Sequence, residues 1–185
     1  MIYIDSDGER FGYKDIEPTR IDTAPNIYQE DTKRGKLLVG KLNGDNWDLK
    51  YREKTGEDLK EESKSASEND VLDAGFDIAV RKYWQKLADG DKFTIQFVSP
   101  LHLKKIKLRV VPKSDSKCGS AAEKVDNPMC IWIEPANFFL RLFAGQIKLI
   151  YNVDTKQLMT FDGVVNFEGD DGKAYKAVIS YSYPS

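Results

Sequence analysis

The sequence predicts a mainly β fold of the α+β class. The expected form is a strongly curved antiparallel sheet or partial β-barrel with one amphipathic helix packed on it, and a closed lipocalin-like barrel is the alternative architecture. Three observations lead there. Apolar residues recur mostly with period two, between turn signals rich in Gly, Asp and Asn. Only residues 71–88 carry a sustained helical period. The chain of 185 residues suits one sizeable core, so a single domain over 1–185 is expected.

The elements follow in order. Residues 1–5 and 10–16 flank Ser6-Asp7-Gly8-Glu9, and Asp-Gly between two apolar runs signals a hairpin. The first residues, Met1-Ile2-Tyr3-Ile4, read as a strand and not as a leader. Pro18 and Pro25 punctuate a connector. Residues 35–42 and 47–52 form a second hairpin around Asn43-Gly44-Asp45-Asn46, which tolerate positive φ. Residues 53–70 are acidic and nearly free of large apolar groups, which predicts a mobile surface loop.

In residues 71–88, Leu72, Phe76, Val80, Tyr83 and Leu87 share one helical face, widened by Trp84. Asp70 is placed as N-cap and Asp73 to complete a capping box, with Asp77 favourable to the helix dipole and Asp89-Gly90 as the stop. Gly75 inside the first turns costs up to about 1 kcal/mol against alanine, and close approach of another backbone would account for it. Strands are then expected over 92–98 and 102–111. In the latter, Ile106, Leu108 and Val110 oppose Lys105, Lys107 and Arg109. After a loop comes Cys130-Ile131-Trp132-Ile133, and then a short helix over 135–144, bounded by Pro135 and Gly145. Strands over 146–152, 157–167 and 174–183 close the chain as a meander.

The chain carries the run Val71-Leu72-Asp73-Ala74-Gly75-Phe76-Asp77, then Trp84-Gln85-Lys86-Leu87 and Lys92-Phe93-Thr94-Ile95-Gln96-Phe97. With residues 147–152, 158–166 including Gly163, 178–181, and the early Asp7-Gly8 and Gly12-Tyr13-Lys14, these resemble a family of uncharacterised bacterial exported proteins. The resemblance spans most of the chain through structural motifs. It implies a periplasmic or envelope location, with a cytoplasmic one as the alternative, and it brings no activity and no functional residues. The architecture also resembles curved-sheet, incomplete-barrel envelope proteins, some of which shield lipids or lipoproteins in an apolar concavity.

Composition and motifs narrow the chemistry. A formal charge of -2 lacks the basic excess of a nucleic-acid binder. No apolar run reaches the roughly 18 residues of a membrane span, so a soluble chain is expected. One histidine, His102, and two cysteines supply no metal cluster, so no metal and no cofactor is expected. There is no Gly-x-Ser-x-Gly elbow, no phosphate-binding glycine loop and no complete calcium loop after Asp5-Ser6-Asp7-Gly8. Asp73 and Asp77 share a helical face, which capping and dipole effects already explain. Cys118 and Cys130 either close one loop as a disulfide or remain two free thiols.

Two surface features remain. The strip Lys105, Lys107 and Arg109 is either the wet face of a strand or a contact for anionic groups. Trp132, Phe138, Phe139, Leu142, Phe143 and Tyr151, with Tyr83 and Trp84 of the helix, are the candidates to line an apolar hollow, against the ordinary role of filling the core. The leading expectation is a non-enzymatic envelope protein that binds an apolar or amphiphilic ligand, or a protein partner, in the concavity of the sheet. A structural or scaffolding module is the alternative, and a hydrolase with a dispersed carboxylate site the third.

Overall fold

The computed structural model describes residues 1–137, 146–168 and 174–184. The protein is mainly β with few helical residues, and its strands form two open sheets of six and seven strands. Among the described residues, two sheets therefore stand where the sequence predicts one curved sheet, and no closed barrel forms. Period two tells which residues share a face, but it does not count the sheets. The chain divides into two compact units, Met1–Ala79 with Gln96–Ile106 and Val80–Ile95 with Lys107–Ser185.

The first sheet is an antiparallel meander of β1 (Ile2–Ile4), β2 (Arg10–Glu17), β3 (Asn26–Asp31), β4 (Lys36–Asn43), β5 (Asn46–Arg52) and β6 (Lys60–Ser65), in that order. Both predicted hairpins form. Between β1 and β2 the Asp5 carboxylate accepts the N–H groups of Asp7 and Glu9, at 3.0 and 2.9 Å, and Gly8 takes φ +82°. Between β4 and β5, Asn43 faces Asn46 across Gly44, at φ +56°.

Two strands of this sheet depart from expectation. The connector after Pro18 holds β3, whose inward residues are Ile27, Gln29 and Asp31. Two polar groups on a buried face erase the apolar alternation by which a strand is read. Asp31 is satisfied locally, accepting the N–H groups of Lys33 and Arg34 at 3.0 Å each. The acidic segment 53–70 is likewise more than a loop, because β6 pairs antiparallel with β5 from Asn46↔Ser65 to Tyr51↔Lys60. Its backbone bonds to β5, and its charged side chains stay in water.

In the same unit, Ile21, Ala24, Ile27, Trp47, Leu49, Leu72 and Val98 form a buried cluster. The stretch expected as one helix is broken into pieces. Asp70–Val71 is a short strand, β7, pairing in parallel with β8 (Phe93–Ser99). Asp73 turns the chain at φ +48°. Helix α1 spans Gly75–Lys82, and after a break at Tyr83 helix α2 spans Trp84–Ala88. Asp70 is thus a buried strand residue and not an N-cap, and Asp73 bonds Lys14 at 2.7 Å where a capping box was expected. The predicted stop holds: Gly90 takes φ +87°, and the N–H groups of Gly90 and Asp91 reach the carbonyls of Leu87 and Lys86.

The second sheet runs β13-β12-β11-β10-β9-β8-β7. Its antiparallel C-terminal part comprises β9 (Lys104–Lys113), β10 (Pro128–Pro135), β11 (Ile147–Asn152), β12 (Leu158–Glu168) and β13 (Ala174–Ser180). The predicted three-strand meander is present with nearly the predicted bounds. The helix expected over 135–144 falls from residue 138 onward outside the described residues, and Pro135 belongs to β10.

Candidate functional site

The pairing of β9 through β13 sorts their side chains onto two sides. One side carries Arg109, Val111 and Lys113, then Cys130, Trp132 and Glu134, then Lys148 and Ile150, then Asp162, then Lys176 and Val178. The other carries Val110, Ile131, Ile133, Leu149, Tyr151, Phe161 and Ile179. Alternation thus separates the aromatic candidates. Tyr151 is fully buried on the apolar side and meets Trp84 of α2 edge-to-face, with ring centroids 5.7 Å apart. Tyr83 packs on Phe93 at 4.5 Å. Trp132 lies on the opposite side, where Lys113 and Lys148 place their ammonium groups 5.0 and 5.9 Å from its ring centroid. Phe138, Phe139, Leu142 and Phe143 lie outside the described residues.

Beside Trp132 the chain is cross-linked. Cys118 and Cys130 form a disulfide, with Cα atoms 5.9 Å apart. It fastens two 3-10 turns, Asp115–Lys117 and Gly119–Lys124, and Ala122, Cys130 and Ile150 share a small buried cluster with Cys118. Val125 and Trp132 pack against that cluster.

The basic strip is divided by its partners. Lys105 Nζ lies 2.7 Å from Asp70 Oδ2, Arg109 pairs with the buried Glu134, and Lys107 is exposed. Asp70 is a buried, many-bonded carboxylate. It also accepts Trp47 Nε1 and the Ser67 backbone N–H at 2.9 Å on Oδ2, and the Ser67 hydroxyl at 2.9 Å on Oδ1. The Thr23 hydroxyl donates to its carbonyl at 2.6 Å. Nothing in the order of residues announces this node, because its members lie up to 82 positions apart (Thr23 to Lys105).

His102 sits in the turn between β8 and β9, with Nδ1 2.9 Å from Ser99 Oγ. Burial, and then the neighbouring charge of Lys104, hold its pKa below the ordinary histidine value. Ser99 is 3 % exposed, so its hydroxyl is closed to a substrate and fastens the turn instead. Among the described residues, no group of three or more His, Cys, Asp or Glu side chains is placed to hold a metal ion.

The open edge of β13 is the feature that sequence reasoning missed. β13 ends the seven-stranded order. The Tyr181 N–H bonds the Met159 carbonyl at 3.0 Å, which fixes the phase of the ladder. By antiparallel alternation, Ala177 and Ile179 turn their peptide groups toward β12, while Lys176, Val178 and Ser180 turn theirs away. The side chains along this edge are Tyr175, Val178, Ile179 and Tyr181, which are 54, 67, 38 and 38 % exposed. Its one charge, Lys176, lies 3.4 Å from Asp162 Oδ1. The other long edge, β6, reads Lys-Glu-Glu-Ser-Lys-Ser. Charge guards that edge along its length, whereas β13 carries the single charge of Lys176, which Asp162 partners.

No family model, no curated protein and no solved structure matches this chain.

Proposed function

We propose that this protein is a non-enzymatic binding module that takes up an extended polypeptide by strand addition at β13. One observation carries the reading: the outward peptide groups of Lys176, Val178 and Ser180 run beside exposed apolar side chains. An added strand would gain main-chain hydrogen bonds from the former and side-chain contacts from the latter. The Cys118–Cys130 disulfide supports an oxidising compartment as its place of work, which agrees with the periplasmic or envelope location that the family resemblance implies. Among the described residues, no helix is long and apolar enough to cross a membrane.

Selection of displayed random peptides tests the reading. The full chain serves as bait at low concentration, with Val178→Pro as counter-bait. Peptides that alternate β-branched or aromatic residues and bind only the unaltered protein are the expected product. If every enriched peptide binds both forms equally, strand addition at this edge is refuted.

A second reading rests on Trp132. An indole flanked by two ammonium groups suits the junction of an anionic head and an apolar tail, so it favours the amphiphilic ligand expected from the sequence. Dodecyl phosphate should change the tryptophan fluorescence at lower concentration than dodecyl maltoside does, and the preference should vanish in Lys113→Gln/Lys148→Gln. Equal responses to the two detergents would remove this reading.

A further inference from the structure

We infer that the strand added at β13 is β13 of a second copy of this chain, joined antiparallel about a two-fold axis at Val178. The inference rests on the strand-addition reading and names its partner.

Self-pairing requires that outward-facing residues oppose outward-facing residues. An axis at Val178 meets this condition. Val178 faces its own copy, Lys176 faces Ser180, Ala177 faces Ile179, and Tyr175 faces Tyr181. A residue faces itself only at the axis, and Val178 is the most exposed apolar side chain on the edge, at 67 %. Lys176 then meets a hydroxyl and not a second ammonium, and Asp162 of its own chain already partners it. Moving the axis one residue back, to Ala177, would set Lys176 against Val178 instead.

Charge favours this occupant as well. The edge presents no net repulsion to itself, because its single cation is matched within the chain. It also carries no second charge with which to select a strongly acidic or basic peptide. Two-fold dimers are the commonest symmetric oligomers, and their interface joins one patch to its own copy. On one side of the joined sheets, Tyr175, Ala177, Ile179 and Tyr181 of both copies would form a continuous apolar and aromatic row, with cross-strand pairs of a stabilising kind.

Sedimentation equilibrium of the full chain with the disulfide intact tests the inference through charge exchange at the axis. The unaltered protein should show a concentration-dependent dimer. Val178→Lys and Val178→Glu each place like charges face to face, and each alone should dissociate about tenfold more readily. An equimolar mixture of the two variants should recover most of the lost association, because lysine then faces glutamate. Recovery on mixing also shows that both variants are folded, and position 178 is exposed enough to accept either side chain.

An unaltered protein that stays monomeric up to about 0.5 mM overturns the inference, as does a dimer that both variants leave intact. A mixture that associates no better than its components overturns the axis at Val178. The strand-addition reading is judged separately. A monomeric protein that still selects alternating peptides through Val178 keeps the reading and loses the second copy, whereas a protein that selects none loses the reading itself.

Discussion

A single carboxylate shows how much of this structure hangs on individual groups. Asp70 is fully buried, and its two oxygens accept from Trp47, Ser67 and Lys105. A buried carboxylate is tolerated only when donors surround it, and removing its charge leaves Lys105 without its partner. Asp70→Asn keeps the shape but turns one acceptor into a donor. We expect a loss of about 3 kcal/mol, read as a lower urea midpoint at unchanged slope. A loss below about 1 kcal/mol would mean that water reaches the node. Lys14 belongs to the same class of residue. Burial alone lowers its pKa, yet the charge and hydrogen bond of Asp73, together with the contact of Tyr3, outweigh that and hold it above the ordinary lysine value. Neither node is visible in sequence, because an aspartate in a surface turn and one in a core are the same letter.

At the scale of elements, packing corrects propensity twice. Gly75 begins α1, where alanine would gain up to about 1 kcal/mol by propensity. A Cβ there would stand 1.7 Å from the Thr23 carbonyl oxygen, and backbone cannot swing aside as a side chain can. Gly75→Ala should therefore cost about 2–3 kcal/mol in thermal or chemical denaturation, and any stabilisation would contradict the contact. The second correction concerns β13, where two neighbouring positions should respond unequally to proline. Ile179 turns its N–H toward β12, so Ile179→Pro breaks a ladder bond and should cost about 3 kcal/mol. Val178 turns its N–H outward, so Val178→Pro should cost clearly less. Denaturation of the two variants side by side checks the phase of the edge, and equal losses would mean the phase is wrong.

For the molecule as a whole, the feature with the largest consequence is the cross-link. Each of the two compact units contains buried apolar residues of its own, and the disulfide lies in the one built from β10 to β13. It joins residues 12 apart, and closing a loop of that size stabilises by roughly 3 kcal/mol in the chain-entropy model. Reduction, or Cys118→Ala/Cys130→Ala, should lower the midpoint of thermal unfolding by about 6–12 °C for a chain of this length. Calorimetry with and without reductant measures the shift. A shift under about 2 °C would show that the unfolded chain gains little freedom when the bond is absent.

The sequence by itself determined the β-rich class, both Asp-Gly and Asn-Gly hairpins, the C-terminal meander and the glycine stop after α2. These depend on local backbone preference and on period two, and both are written within a few neighbouring residues. It also offered close backbone approach as the reason for Gly75, and the structure supplies the contact at Thr23. Only the tertiary structure decided that there are two sheets, that Asp70 is buried and many-bonded, that Gln29 and Asp31 face inward, and that Tyr151 and Trp132 point to opposite sides. It also decided that β13 is an edge. Each of these turns on which distant segment lies beside which. No local pattern carries that information, because a strand reads the same whether its far side meets another strand or meets water.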